Sequence, residues 1–78
     1  MGNIVWIVRN EQNLKMEVYR SKGSALAACE RIIREEVRDA VLEECFDELY
    51  SDYYDSANSL GVFGCEDICI AIRTDVKD

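Results

Sequence analysis

The sequence contains no histidine, the side chain that most often acts as a general base and as the partner of a serine or cysteine nucleophile. It also has no G-x-x-x-x-G-K-[ST] phosphate-binding loop and no G-x-G-x-x-G dinucleotide-binding turn. Carboxylates are plentiful, but most lie together in a segment without bases, as expected of a solvated face rather than of a glycosidase pair. We therefore predict that the protein is not an enzyme and has no catalytic residues.

Long apolar runs are also missing. No stretch of eighteen or more apolar residues occurs, so no membrane span is predicted. No apolar signal-peptide region follows the start, and cytoplasmic residence is expected, in the host cytoplasm if the protein is phage-encoded. With 49% hydrophobic and 32% charged residues, the chain is too apolar to be disordered. Its 78 residues predict a single domain, 1–78, with one modest core.

The segment from Ser24 to about Ser59 contains neither proline nor glycine and is followed by Gly61. Its first half has an apolar stripe at helical spacing, made of Leu26, Cys29, Ile32, Ile33, Val37 and Ala40. From Val41 onward, the stripe rotates by roughly 90° or more around the helix. The pattern predicts one long helix that bends or breaks near Val41 to Glu44, or whose second half meets its own loop, a second copy or a partner.

Three strands are predicted around this helix. Asn3–Arg9 contains the continuous apolar run Ile4–Val8, as in a central strand, whereas Leu14–Arg20 and Asp67–Arg73 alternate between two sets of residues. Ala57–Glu66 contains two glycines and an asparagine and is predicted to be a loop. The fold class is α+β: a β-β-α-β chain with a three-stranded antiparallel sheet, order 2-1-3, and the helix on one face.

A single helix covers one face of a sheet and leaves the other face open. The predicted open face carries either Val5 and Ile7 or Ile4, Trp6 and Val8, beside Tyr19, Cys69 and Ala71. Such an apolar patch is typical of an interface. The alternative is that the second half of the helix, or the loop after it, folds over this face.

The four cysteines do not form a recognisable motif. Cys29 and Cys45 lie in the helical segment, and the C-x3-C spacing of Cys65 and Cys69 matches neither the C-x-x-C redox motif nor paired zinc-ribbon spacing. Buried, reduced thiols are the favoured interpretation, with a metal site or a functional disulfide as alternatives. Cys65, beside a glycine in the predicted loop, is expected to be the most exposed. No metal ligands and no cofactor are predicted.

Charge divides the chain into two unequal parts. Residues 1–38 hold seven bases and five acids, whereas residues 39–78 hold eleven acids and two bases, for a net charge of −7. No basic residue occurs between Asp39 and Ile72. Tyrosine is common in interface cores, and carboxylates pair with the bases of a partner. The predicted partner-binding residues are Glu43, Glu44, Asp47, Glu48, Tyr50, Asp52, Tyr54 and Asp55.

These features favour an acidic protein-binding inhibitor that occupies a basic, nucleic-acid-binding groove on a partner protein. In size, charge and layout the chain resembles phage-encoded inhibitors of the anti-CRISPR and anti-restriction kind. Direct binding of nucleic acid is disfavoured, because this face would repel phosphates. One alternative is a self-associating structural or adaptor module, a homodimer through the open sheet face, and another is a cysteine-based metal or redox module. The charge can also serve solubility alone.

Overall fold

The computed structural model of the protein describes residues 3–59 and 61–76. Four strands and two helices follow one another in this part of the chain. They are β1 (Asn3–Asn10), β2 (Met16–Tyr19), α1 (Lys22–Glu36), α2 (Asp39–Ser59), β3 (Val62–Cys65) and β4 (Cys69–Val76). The α+β class is confirmed, with one strand and one helix more than predicted.

The strands form one antiparallel sheet in the order β2-β1-β4-β3. The predicted arrangement of the first, second and last strands is present, because β1 lies between β2 and β4. The prediction of only three strands is wrong, because β3 adds a fourth strand at the far edge. The two central strands, β1 and β4, have eight residues each and are the longest strands of the sheet.

β3 lies inside the segment that was predicted to be a loop. Gly61 and Gly64 indicated a loop, and both have positive φ, +146° and +155°. Gly64 is nevertheless a ladder residue, paired with Ile70. A Cβ at Gly64 would lie 2.4 Å from the carbonyl oxygen of Cys69. The glycine therefore marks a close approach of two strand backbones, one of the reasons for which glycine occurs inside strands.

The chain has two helices where one was predicted. The break is at Val37, whose extended backbone (φ −115°, ψ 137°) ends α1 while its N–H still donates to the Ile33 carbonyl at 2.9 Å. Helix α2 then starts at Asp39, and the Val41 N–H donates to the Arg38 carbonyl at 3.0 Å. The break thus precedes the predicted region. It lets two differently oriented apolar stripes both face the sheet, which a straight helix cannot do.

Helix α1 is capped by Ser21, whose side-chain oxygen accepts the Ser24 N–H at 3.1 Å. It packs mainly on β1 and β4. The buried side chains of α1 are Ala25, Ala28, Cys29, Ile32 and Ile33. Their small size on the first turns lets the helix lie close to the sheet.

Helix α2 packs on β3, and both helices cover the same face of the sheet. Leu49 of α2 is fully buried. The Tyr53 ring meets Phe63 edge to face with centroids 5.2 Å apart, and Phe63 contacts Trp6 at 5.3 Å. In the described part of the chain, neither helix is both long and apolar enough to cross a membrane.

The other face of the sheet carries no helix in the described part of the chain, and it shows Val5 and Ile7, one of the two predicted sets from β1, but not the other residues predicted beside them. The register pairs Trp6 with Tyr19 and Val8 with Ala71, and Trp6 and Val8 are buried beneath the helices. Tyr19, Ala71 and Cys69 are therefore on the covered side, and their predicted place on the open face is wrong. The apolar strand residues of the open face are Val5, Ile7, Met16, Val18, Val62, Ile70, Ile72 and Val76.

Candidate acidic binding surface

Helix α2 turns one side away from the sheet. The exposed residues on this side, here called the acidic face, are Glu43, Glu44, Asp47, Tyr54 and Asp55. Glu43, Asp47 and Asp55 belong to one row of positions spaced by four, so neighbouring positions in the row lie about 6 Å apart along the axis. Tyr54 is 71% exposed and meets Tyr53 edge to face at 5.9 Å. The structure thus brings together five of the eight predicted binding residues.

Glu48 does not belong to this face. Its carboxylate is turned towards the turn between β3 and β4, where it accepts hydrogen bonds from the Cys65 thiol and from the Glu66 backbone N–H, each at 3.3 Å. Glu48 therefore links α2 to this turn. A partner that binds Glu48, as predicted, would have to approach this side of α2.

Asp52 lies one helical turn after Glu48 on the same side and is half-buried. Burial raises the pKa of its carboxyl group, and the nearby charges of Glu48 and Asp55 raise it further. The neighbouring negative charges on this part of α2 therefore disfavour the ionised form of Asp52. A positive group placed here would favour the ionised carboxylate.

Tyr50 joins the two helices instead of projecting towards a partner. Its hydroxyl donates a hydrogen bond to Glu30 of α1 at 2.6 Å, and its ring stacks on Phe46 at 5.9 Å. This hydrogen bond raises the pKa of Tyr50. The guanidinium of Arg34 lies 4.8 Å from the centre of the Phe46 ring. Of the two predicted tyrosine anchors, only Tyr54 extends freely from the acidic face.

A groove of about 540 Å³ lies between α2, the end of β1 and the β3–β4 hairpin, and Val62 and Ile70 of the open sheet face also line it. Its acidic lining consists of Glu11, Glu48, Asp52, Glu66 and Asp67. Arg9 also lines it and forms an ion pair with Glu11, with Nε 2.7 Å from Oε1. The described residues include no cluster of three or more ligands suited to a metal ion. An acidic, open groove of this kind fits a lysine or arginine side chain of a partner.

Sequence patterns did not reveal this groove. Glu11 follows β1, and Glu66 and Asp67 form the β3–β4 turn. More than fifty residues of sequence therefore separate Glu11 from the two acids of that turn. Acids in turns are common and gave no signal of their own. Only the pairing of β1 with β4 brings the two turns to the same end of the sheet.

The cysteines are reduced in the structure, and three of them are buried. Cys65 is only 2% exposed, so its predicted exposure is wrong: it faces the helices from inside β3. Burial and the neighbouring Glu48 carboxylate raise the pKa of Cys65. The pKa of Cys29 is raised by its contact with Cys69 and by burial. Both thiols stay protonated at neutral pH and are poor nucleophiles.

Comparison of the chain with protein-family models, with curated proteins and with solved structures gave no match. The acidic face of α2 and the adjoining groove are the features of the molecule that bear most directly on a binding function.

Proposed function

We propose that the protein is an acidic inhibitor that binds a basic groove on a nucleic-acid-binding protein and excludes the nucleic acid from it. The acidic face of α2 takes the place of a row of phosphates, and Tyr54 supplies an aromatic anchor in their midst. Inhibitors of the anti-CRISPR and anti-restriction kind, encoded by phages, act in this general way. Under this proposal the protein performs no chemistry, and its effect depends on occupancy of the groove.

The observation that carries the proposal is the exposure of several carboxylates on one helix side without a basic residue in the segment. Like charges four residues apart, such as Glu43 and Asp47, destabilise a helix by a few tenths of a kcal/mol per pair. No lysine or arginine occurs from position 39 to position 72 to offset this cost. A local arrangement that reduces stability without a structural return is typical of a functional surface.

The adjoining groove extends the same surface around α2. Glu48 and Asp52 continue the negative charge from the acidic face to the β3–β4 turn. A basic partner would therefore meet carboxylates from two directions, on a convex helix and in a concave groove. Complementary charge of this extent accelerates association and selects basic surfaces over neutral ones.

The proposal is tested by charge reversal on the acidic face. We expect Glu43→Lys/Asp47→Lys to weaken binding to a captured basic partner at least about tenfold, because like charges would then face each other across the interface. Partners are first captured from lysate and from a panel of purified nucleic-acid-processing enzymes. Affinity is then measured by calorimetry, and competition by displacement of a labelled DNA or RNA.

The matched control is Glu35→Lys/Asp75→Lys, which brings the net charge from −7 to the same −3 with substitutions outside α2. Both positions are exposed. We expect this variant to bind nearly as well as the original protein. Equal losses in both variants would mean that net charge alone matters, and retained competition by the α2 variant would refute the proposed site.

A further inference from the structure

The open face of the sheet has an apolar row that crosses all four strands. The register places Ile7 of β1 between Val18 of β2 and Ile72 of β4, and places Val62 of β3 beside Ile72. Four β-branched side chains therefore lie side by side, one from each strand. Cross-strand neighbours of this kind pack into a continuous ridge.

Further apolar side chains lie on both sides of this row. Met16 and Ile70 are on one side and Val5 on the other. Met16, Val18 and Val62 are 64%, 62% and 52% exposed. With strands about 4.8 Å apart and same-face residues about 6.6 Å apart, the patch measures on the order of 300–400 Å² in plan. A patch of this size is within the range of about 300–600 Å² for the largest patch of a monomer, and such patches are often functional.

The strand residues of the open face are almost all uncharged, and Arg20, directly after β2, adjoins Val5 and Val76 at its rim. Among the described strand residues that face this side, Arg9 alone is charged, and it is paired with Glu11 at the rim. No open-face position in these strands holds an acid, although the chain has sixteen acidic residues. The strand residues of this face thus offer a basic partner no carboxylate, whereas their aliphatic side chains fit an identical face of a second copy.

We infer that this face binds a second copy of the chain, sheet against sheet, to form a symmetric dimer with the helices outside. A two-fold axis brings the same patch of each copy together. Facing sheets pack about 10 Å apart, so the two helix layers would lie roughly 30 Å from each other. This distance exceeds several Debye lengths of about 8 Å at physiological ionic strength. The net charge of −7 on each copy thus does not prevent association.

The size of the patch limits the affinity of the two copies for each other. Two such faces bury less than the 1,600 Å² of total surface that is typical of a stable complex. We therefore expect dissociation in the micromolar range rather than a permanent dimer. The acidic faces of α2 point away from the contact and would stay accessible in each copy. The groove, which shares Val62 and Ile70 with the open face, would be partly covered.

Sedimentation velocity over about 1–500 μM protein tests this inference. We expect the original protein to pass from monomer to dimer in this range, and Val18→Lys/Val62→Lys to weaken the dimer at least about thirtyfold. Both substituted residues are exposed on edge strands, where lysine is well tolerated. The matched control is Val41→Lys, an exposed valine on α2 away from the sheet, which we expect to leave the dimer unchanged.

Three outcomes would overturn the inference. The first is a monomer at every concentration, and the second is an equal loss of dimer in the control. The third is a dimer whose formation protects the outward amides of β2 or β3 from hydrogen exchange, which would show pairing between strand edges instead of between sheet faces. Circular dichroism of each variant shows whether the fold is retained, and a loss of dimer counts only for a folded variant. If the Val18→Lys/Val62→Lys variant unfolds, the same test is made with Met16→Lys alone.

Discussion

Gly64 is the residue at which the backbone has least room for a side chain. Its φ of +155° is unfavourable for other residues, and an added Cβ would lie 2.4 Å from the Cys69 carbonyl oxygen and 2.9 Å from the Ile70 Cα. Both contacts are with backbone atoms of β4 that a rotamer change cannot move. The close β3–β4 pairing therefore depends on glycine at this position.

We expect Gly64→Ala to lower the free energy of unfolding by about 2–4 kcal/mol, from backbone strain and from displacement of β4. Urea denaturation measures the change. Gly23→Ala is the matched control, because nothing lies within 4 Å of the added Cβ in the first turn of α1. That variant should be unchanged or up to about 0.5 kcal/mol more stable. A Gly64→Ala protein as stable as the control would show that β3 does not pair as described.

The predicted partner-binding residues have two different roles in the structure. Glu48 holds the β3–β4 turn and Tyr50 holds α1, whereas Glu43, Asp47 and Tyr54 extend from α2. Their residue types are the same in both groups. The side of the helix on which each residue lies decides whether it meets the protein itself or a partner.

At the scale of elements, exposed and half-buried side chains contribute to the contact between α1 and α2. Tyr50 and Phe46 stack on each other, the Tyr50 hydroxyl binds Glu30, and Arg34 lies over the Phe46 ring. These contacts fix the direction in which α2 leaves the break at Val37. They consequently also fix where the acidic face points.

We expect Tyr50→Phe to cost about 1 kcal/mol of stability at neutral pH, because Glu30 loses its donor while the ring stack remains. The folded pKa of Tyr50 is raised above its ordinary value of 10.0. The contribution of the hydroxyl is therefore fully present below about pH 10 and is lost as the pH rises through the folded pKa. Urea denaturation of both proteins from pH 7 to pH 11 measures this. Tyr54→Phe, on an exposed ring, should show no such difference.

Edge strand β2 is held to the helix layer as well as to β1. Arg31 of α1 forms an ion pair with Glu17, which also accepts a hydrogen bond from Tyr19. These two interactions lower the pKa of Glu17. Since β2 contributes Val18 and Met16 to the open face, its attachment to α1 keeps one edge of that face in place.

At the scale of the molecule, charge and apolar surface lie on opposite layers. The helix layer exposes the carboxylates of α2, and the sheet layer exposes aliphatic side chains with one ion-paired arginine. The Cα extents of 45 × 26 × 16 Å are those of a thin, two-layer molecule. The acidic face of α2 and the open sheet face can therefore bind different kinds of surface, and the groove, lined in part by Val62 and Ile70, adjoins both.

The two proposed contacts should respond differently to salt. Raising the ionic strength from about 0.1 to about 1 M shortens the Debye length from about 10 to about 3 Å. We expect this change to weaken the complex with a basic partner, whereas the dimer should be unchanged or stronger because repulsion between its copies is screened. Calorimetry and sedimentation at both salt concentrations measure the two equilibria. A dimer that weakens as much as the partner complex would indicate contact through charged surfaces instead.

Alternation and charge determined much of this protein from the sequence alone. The apolar run of β1, the alternation in β2 and β4 and the long segment without glycine or proline predicted an antiparallel α+β fold, because these patterns depend only on local backbone periodicity. The same holds for the acidic character of α2. The side of α2 that faces the sheet follows from its own apolar stripe.

Tertiary packing decided the rest. Helix α1 ends at Val37 although no glycine or proline is present there. The chain turns at this point because the apolar stripes of α1 and α2, which have different orientations, both pack on the same face of the sheet. β3 is a strand because Gly64 permits close approach to β4, although its local sequence is typical of a loop. The acidic groove and the apolar row across the sheet also depend on register between distant segments. Periodicity shows which residues share a face, but only long-range pairing shows what lies beside that face.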